Sequence, residues 1–145
     1  MNKKIIIGSD HAGFDYKEEL IGCLKNSGYE VVDAGCYDKN SCDYPIFAKE
    51  VAKRVASGEF EKGILICGTG IGMSIAANKV KGIRAALCSD LFSARATREH
   101  NDSNILCMGA RVIDLKLACE ITKTWLETPF SNLEKHQRRI DMIEE

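Results

Sequence analysis

The sequence lacks an excess of one charge sign, a long hydrophobic run and a paired-cysteine motif, and each absence excludes a class of protein. Its 20 Lys and Arg residues nearly balance 21 Asp and Glu residues, for a formal net charge of −1. This balance provides no general attraction to nucleic acid or to anionic membranes. Near the N-terminus only residues 5–7 are consecutive apolar residues, too few for the core of a signal peptide or a membrane span. We therefore expect neither a nucleic-acid partner nor a membrane.

The cysteines point away from disulfides and from zinc. There are seven, scattered through the chain, with no C-x-x-C pair and no Cys/His cluster at zinc-ligand spacing. An odd number of dispersed thiols favours a reducing cytoplasm, and we expect no metal. With 145 residues and 45% hydrophobic content, the chain can bury one core but not two. Residues 1–145 are predicted to form a single domain, with no repeat, low-complexity segment or linker.

Short apolar runs alternate with amphipathic stretches along the whole chain. The runs are continuous rather than alternating, as expected of parallel strands covered on both faces. Predicted strands are residues 5–7, 29–32, 64–67, 85–88 and 105–108. Predicted helices are residues 14–24, 46–56, 75–80, 91–98 and 115–126, followed by a C-terminal helix from residue 133. This alternation predicts an α/β fold with an open parallel sheet.

In such a sheet, ligands bind beyond the carboxyl ends of the strands, where the strand-to-helix loops lie. Three of these loops carry polar or reactive residues: residues 8–13, residues 67–72 and residues 108–111. The topology is therefore expected to bring Asp10, His11, Cys67 and Arg111 to one edge.

The loop CGTGIGMS has three glycines in five residues. A plain strand-to-helix turn rarely needs so many, which favours an anion-binding nest of backbone amides made by Gly68, Thr69, Gly70, Ile71 and Gly72. Three common phosphate-binding patterns fail here: the dinucleotide fingerprint, the Walker A loop and the Cys-x5-Arg loop. The residue that breaks each of them is Met73.

Cys67 leads directly into the predicted turn before a helix, whose partial positive charge favours a thiolate. The alternative is an inert core cysteine, the interpretation we favour for Cys88 and Cys107 in neighbouring strands. Position alone does not decide between the two for Cys67.

A carboxylate beside an imidazole, as in Asp10–His11, suits proton transfer or hydroxyl binding at a ligand edge. The alternative is a helix cap with a passive neighbour. His100 lies near the end of a predicted helix, where a protonated histidine is favourable for the helix alone, so its role stays open.

The C-terminal stretch is predicted to be a helix with Leu133, Ile140 and Ile143 facing inward and a Glu134–Arg138 pair on the surface. Lys135 and Arg139 are four residues apart, a spacing at which like charges repel. An anion between them would offset the repulsion. A solvated basic face explains the pattern equally well.

Taken together, these residues resemble the ribose-5-phosphate isomerase type B family, which includes related allose- and galactose-6-phosphate isomerases. The matching segments cover nearly the whole chain in order. They are GSDHAGF (8–14), DYP (43–45), ICGTGIGMSIAANKVKGIRAALC (66–88), REHND (98–102) and HQRR (136–139).

The resemblance implies a Rossmann-like three-layer αβα sandwich around a five-stranded parallel sheet, with the C-terminal helix reaching toward a dimer partner. It implies an aldose–ketose isomerase of D-ribose 5-phosphate and D-ribulose 5-phosphate that works through a cis-enediolate without metal or organic cofactor. Active sites are shared between the chains of a homodimer, or of a tetramer built from it, in the cytoplasm.

The resemblance also implies residue roles. The family's base is a cysteine before the glycine loop or a glutamate within it, and Met73 occupies the glutamate position, so Cys67 is the implied base. The backbone from Gly68 to Gly72 forms the anion hole, helped by Thr69. His100 is the acid that opens the sugar ring, with Asp10 assisting. The residues implied to bind the hydroxyl groups and phosphate of the substrate are His11, Asn101, Arg111, Lys135 and Arg139.

One departure concerns the phosphate site, because Lys135 stands where many relatives have arginine. Lysine keeps the charge but loses the bidentate fork. Two rival functions remain from the sequence: a hexose-6-phosphate isomerase such as an allose-6-phosphate isomerase, and a non-catalytic sugar-phosphate-binding subunit.

Overall fold

A computed structural model of the chain describes residues 2–145. These residues form five strands and six helices in strict alternation, apart from two consecutive helices at the end. The strands are β1 (Lys4–Ser9), β2 (Glu30–Asp33), β3 (Gly63–Cys67), β4 (Ala85–Leu87) and β5 (Ile105–Gly109). The helices are α1 (Phe14–Asn26), α2 (Tyr44–Ala56), α3 (Ile71–Asn78), α4 (Leu91–Asn101), α5 (Leu115–Glu127) and α6 (Glu134–Ile143).

All strands pair in parallel, in the order β2-β1-β3-β5-β4. The α/β class and the five-stranded parallel sheet expected from the sequence are confirmed. β1 and β3 are neighbours in the centre, and the register pairs Ser9 with Ile66. The loops that follow these two strands therefore begin side by side at the carboxyl edge of the sheet.

Two apolar layers cover the sheet, one on each face. On one face Ile64, Ile66 and their neighbours pack against α1, α4 and α5, with Trp125 at the centre. On the other face Leu65 and Cys67 pack against α2 and α3. Because successive strand residues point to opposite faces, strands covered on both sides must be apolar throughout. This explains the continuous runs in the sequence.

The C-terminal helix α6 differs from its expected orientation. It packs against α4 and buries His136 and Ile140, while Leu133 and Ile143 are 50% and 61% exposed. The expectation that these last two face inward is wrong for the single chain. Leu133 precedes the helix as its N-cap and Ile143 is its final residue, so both lie beyond the stripe that reaches α4. The expected Glu134–Arg138 pair is present at 3.0 Å.

Candidate active site

Cys67 is the last residue of β3, and helix α3 begins four residues later, at Ile71. The Cys67 Sγ atom accepts a hydrogen bond from the backbone N–H of Gly70 at 3.1 Å. The N-cap residue of α3 is Gly70, which has no side chain to accept a hydrogen bond, and Thr69 accepts only the first helical amide, that of Ile71. The later amides of the first turn can therefore bind another acceptor. A buried sulfur thus lies beside a cluster of backbone donors.

Helix α3 begins at Ile71, four residues before the helix start predicted from the sequence. The glycines suggested a longer loop, but Gly72 is in the first turn of the helix. A Cβ there would lie 2.5 Å from the ring of Tyr44, so this glycine serves the contact with α2 rather than loop freedom. The early start places the helix N-terminus directly at the cysteine loop.

Gly70 forms the turn into α3, and its conformation and surroundings both disfavour a side chain. Its φ is +79°, and an added Cβ would lie 2.5 Å from Leu87 Cδ1 and 2.8 Å from the Met108 carbonyl carbon. We expect Gly70→Ala to lower the free energy of unfolding by about 2–5 kcal/mol, from left-handed strain plus overpacking. Urea unfolding measures the change.

Gly22→Ala is the matched control for that substitution. Gly22 lies in α1, and apart from its chain neighbours and the backbone of its own helix no atom of residues 2–145 is within 4 Å of the position of an added Cβ. Alanine should therefore raise the free energy of unfolding by about 0.5–1 kcal/mol. Equal unfolding midpoints for the Gly70→Ala variant and the wild type would contradict the strained turn.

The loop after β1 lies beside the cysteine loop. The Asp10 backbone N–H donates to the Ile66 carbonyl at 3.2 Å, and the largely buried Asp10 carboxylate accepts from the Gly13 N–H at 3.1 Å. His11 Nδ1 accepts from the Cys42 backbone N–H at 3.2 Å. Because Nδ1 is an acceptor, the proton of neutral His11 resides on Nε2.

Arg111 completes this group from the loop after β5. Its guanidinium nitrogen Nη1 lies 3.2 Å from the position that a Cβ of Gly68 would occupy. The backbone N–H of Arg111 donates to the Gly68 carbonyl at 2.9 Å, and that of Ala110 to the Cys67 carbonyl at 2.9 Å. The exposed Thr69 hydroxyl accepts from the Ile71 N–H at 3.2 Å. Asp10, His11, residues 67–72 and Arg111 therefore share one edge, as expected.

Lys17 stabilises this edge, although no sequence pattern indicated a role for it. Its side chain is fully buried in α1, with Nζ 2.9 Å from Asp33 Oδ2 and 2.8 Å from Glu18 Oε1. Burial works against the ammonium, but hydrogen bonds to Asp33 and Glu18 outweigh it and raise the Lys17 pKa. Asp33 in turn accepts from the Gly35 N–H, and the Gly35 carbonyl accepts from Ser9. This chain of contacts holds the strand end that precedes Asp10.

Cys88 and Cys107 behave as the inert core cysteines that the sequence suggested. Both are nearly or fully inaccessible. Burial raises the Cys88 pKa to about 11 and raises that of Cys107 further still. Neither thiol is available as a thiolate near neutral pH.

The other predicted residues form a second cluster. His100, Asn101, Lys135 and Arg139 line a cavity of about 400 Å³ between α4 and α6, together with His136, Ile140 and Ile143. Lys135 and Arg139 therefore line the same cavity as His100. An anion bound there would offset the repulsion between their two positive charges.

The two clusters lie at opposite edges of the sheet within one chain. Helix α4 leaves the carboxyl end of β4 and returns to the amino ends of the strands. There the Asn101 carbonyl accepts from Arg84 Nε at 2.9 Å, and the Asn104 carbonyl accepts from the N–H of Gly63, the first residue of β3, at 3.0 Å. The length of β3, about 13 Å, separates this edge from Cys67.

A larger cavity, of about 880 Å³, runs along the edge strand β4 between α3 and α4. Of the predicted site residues it includes only Asn101. Within residues 2–145, no group of three or more His, Cys, Asp or Glu side chains is arranged to hold a metal ion. No helix in that part of the chain combines the length and apolarity needed to cross a membrane.

Known proteins resemble this chain along nearly its whole length. The model of a family described as Ribose/Galactose Isomerase matches residues 5–143. Ribose-5-phosphate isomerase B of Escherichia coli is 48% identical over 141 residues, covering 97% of this chain and 94% of that protein. The solved structure of Clostridium thermocellum ribose-5-phosphate isomerase B superposes with a TM-score of 0.95 at 52% identity, covering 97% of this chain and 95% of that one. The Trypanosoma brucei type B ribose 5-phosphate isomerase superposes with a TM-score of 0.96 at 45% identity, covering 99% and 98%.

Proposed function

The chain belongs to the ribose/galactose isomerase family of sugar-phosphate isomerases, and we propose that its own reaction interconverts D-ribose 5-phosphate and D-ribulose 5-phosphate. The observation that carries this proposal is the Cys67 thiol, located beside the backbone donors at the N-terminus of α3. A base next to an anion hole is what proton transfer next to a carbonyl requires. The ribose-5-phosphate isomerases among its relatives favour the pentose substrate.

In the proposed reaction, the Cys67 thiolate removes the C2 proton of the open-chain aldose. The electron pair forms the C1–C2 double bond, and negative charge develops on the oxygen at C1. Backbone amides between Gly68 and Gly72, with Thr69, stabilise that charge. The proton of the C2 hydroxyl passes to the oxygen at C1, which leaves the negative charge on the oxygen at C2. The Cys67 thiol then returns its proton to C1 as the C2 carbonyl forms, which yields the ketose and restores the thiolate. Met73, buried under the loop, has no group that can exchange a proton.

Ring opening requires an acid, the role we assign to His100 with Asp10 assisting. One chain holds Asp10 and His100 at opposite edges of the sheet, so the complete site requires a second copy. Exposed apolar side chains surround the Cys67 cluster and suit burial against that copy. They are Ile71, Ile75, Leu87, Phe92 and Val112. The proposed enzyme is therefore a homodimer, or a tetramer built from two such dimers, whose sites combine the Cys67 cluster of one chain with the His100 cavity of the other.

The phosphate of the substrate is assigned to the His100 cavity, where Arg139 and Lys135 supply positive charge, with Arg111 contributing from the other chain. Hydroxyl groups are assigned to His11 and Asn101. The Arg139 guanidinium can donate hydrogen bonds to two phosphate oxygens at once, whereas the Lys135 ammonium acts as a point charge. The contribution of Arg139 should therefore be the larger one.

We expect Lys135→Arg to lower the KM for ribose 5-phosphate by about three- to tenfold, since a restored bidentate pair adds roughly 1 kcal/mol. kcat should stay unchanged because the phosphate is remote from the reacting carbons. Steady-state kinetics measure both constants. The exposed Arg138, already paired with Glu134, gives the control: Arg138→Lys should leave KM at the wild-type value. An unchanged KM in Lys135→Arg would contradict the assignment of Lys135 to the phosphate site.

The test of the proposed function is a substrate panel on the purified chain alone. Ribose 5-phosphate, allose 6-phosphate and galactose 6-phosphate are compared by kcat/KM. We expect ribose 5-phosphate to give the highest value. A higher value for either hexose phosphate would reassign the substrate, and absence of turnover on all three would support a non-catalytic binding subunit instead.

A further inference from the structure

His136 is a buried histidine that the proposed reaction does not use. It lies in the first turn of α6 and is 7% exposed, although its neighbours Lys135 and Gln137 are both exposed. Its ring lies against that of His100, with centroids 4.5 Å apart and planes tilted by 37°. A contact of this kind restricts the rotation of the exposed His100 ring.

A hydrogen bond fixes the His136 ring in turn. Its Nδ1 is 2.7 Å from the hydroxyl of Ser131. That hydroxyl accepts from the Leu133 N–H at 3.2 Å, which leaves its own proton free for His136. The Ser131 backbone N–H donates to the carbonyl of Glu99 at 3.2 Å. Ser131 is thus anchored one residue before His100 and orients the ring that packs on it.

The surroundings keep this ring uncharged. Removal from water, the adjacent His100 and the cations of Lys135 and Arg139 lower the pKa of His136, while Glu99 opposes them. These groups, from α4 and from α6 itself, are the charged or titratable ones that act on it. A neutral His136 adds no further repulsion when His100 is protonated.

We propose that His136, held by Ser131, is a positioning residue that fixes the His100 ring for opening of the cyclic substrate. This inference rests on the proposed function, in which His100 is the acid. It predicts a selective defect: the ring-opening step should suffer, whereas proton exchange at Cys67 should not.

The two steps can be measured separately because the product is acyclic. Ribulose 5-phosphate carries phosphate on the oxygen that would close its furanose ring, so exchange of its C1 proton with deuterated solvent needs no ring opening. We expect His136→Ala to lower kcat on ribose 5-phosphate by about tenfold, part of the 10²–10⁴ that a general acid contributes. KM and the C1 exchange rate should stay within about twofold of wild type. His136→Phe, which keeps an aromatic face against His100, should recover part of the loss.

Gln137→Ala is the matched control, since that side chain is exposed and bonds only Asp141 on the same helix. Equal losses of turnover and C1 exchange in His136→Ala would show a general structural effect and overturn the proposal. Wild-type kcat in His136→Ala would also overturn it.

A readout that needs no substrate separates this proposal from the proposed function. The chain has three histidines, so imidazole resonances of a 15N-histidine sample can be assigned by substitution. In the wild type, His136 should titrate below the ordinary value of about 6.5. In His136→Phe, the His100 resonances should shift while those of His11 stay fixed. Unchanged His100 resonances would refute the positioning role whichever sugar phosphate the enzyme prefers.

Discussion

Cys67→Ala is expected to lower kcat on ribose 5-phosphate by about 10²–10⁴-fold, the range that a positioned general base contributes. The Cys67 sulfur accepts the Gly70 amide at 3.1 Å, so it lies beside the backbone amides of the proposed anion hole. KM should change little, because phosphate and hydroxyl contacts are made by other side chains. The variant should also fail to exchange the C1 proton of ribulose 5-phosphate, because that step requires the base directly.

Cys107→Ala is the matched control for the base. Cys107 belongs to the same apolar layer as Cys67, in the adjacent strand β5, where it pairs with Leu65. Its removal should cost some stability but leave kcat within about twofold of wild type, because its buried thiol stays protonated. Full activity in Cys67→Ala, or an equal loss in both variants, would contradict the assignment of Cys67.

Much of the fold follows from hydrophobic patterning. Each predicted strand is present within two residues at each end, because a strand covered on both faces has little freedom in composition. The expected meeting of Asp10, His11, Cys67 and Arg111 is also observed, since parallel strands end at one edge. The order of the strands does not have to be known to predict that these residues lie at the same edge.

Other features depend on contacts that local patterns do not encode. The early start of α3 depends on Tyr44, a distant residue that packs over Gly72. Buried Lys17 looks like an ordinary surface residue of an amphipathic helix until Asp33 is placed beside it. His136 does share the face of Ile140, four residues on, so its burial could have been predicted from helical spacing.

The separation of the Cys67 cluster from the His100 cavity is the feature of the site that the sequence pattern predicts least. Spacing along the chain says nothing about the direction of α4, which carries His100 away from the edge where Cys67 lies. The resemblance to the isomerase family implied a shared site, and the geometry of the single chain supplies a physical reason for it. The proposed roles of Cys67 as base and His100 as acid therefore require a second copy.

That reasoning makes a strong prediction about mixed dimers. Cys67→Ala and His100→Ala should each be nearly inactive alone. In a mixed dimer, one site combines both altered clusters, while the other combines the intact Cys67 of one chain with the intact His100 of its partner. Random pairing of equal amounts gives about half mixed dimers, each with one working site. About a quarter of wild-type activity should therefore return.

A second pair of variants provides the control. Asp10 and Cys67 lie in the same cluster, so Asp10→Ala mixed with Cys67→Ala leaves one lesion in each site of the mixed dimer. This mixture should recover no activity. The contrast between the two pairs separates a shared site from general stabilisation by mixing.

The most direct test of the account is kcat on ribose 5-phosphate for affinity-purified mixed dimers of Cys67→Ala and His100→Ala carrying different tags. Each purified mixed dimer should have about half of the wild-type kcat, because one of its two sites is intact. Mixed dimers no more active than either variant alone would contradict a site built from both chains.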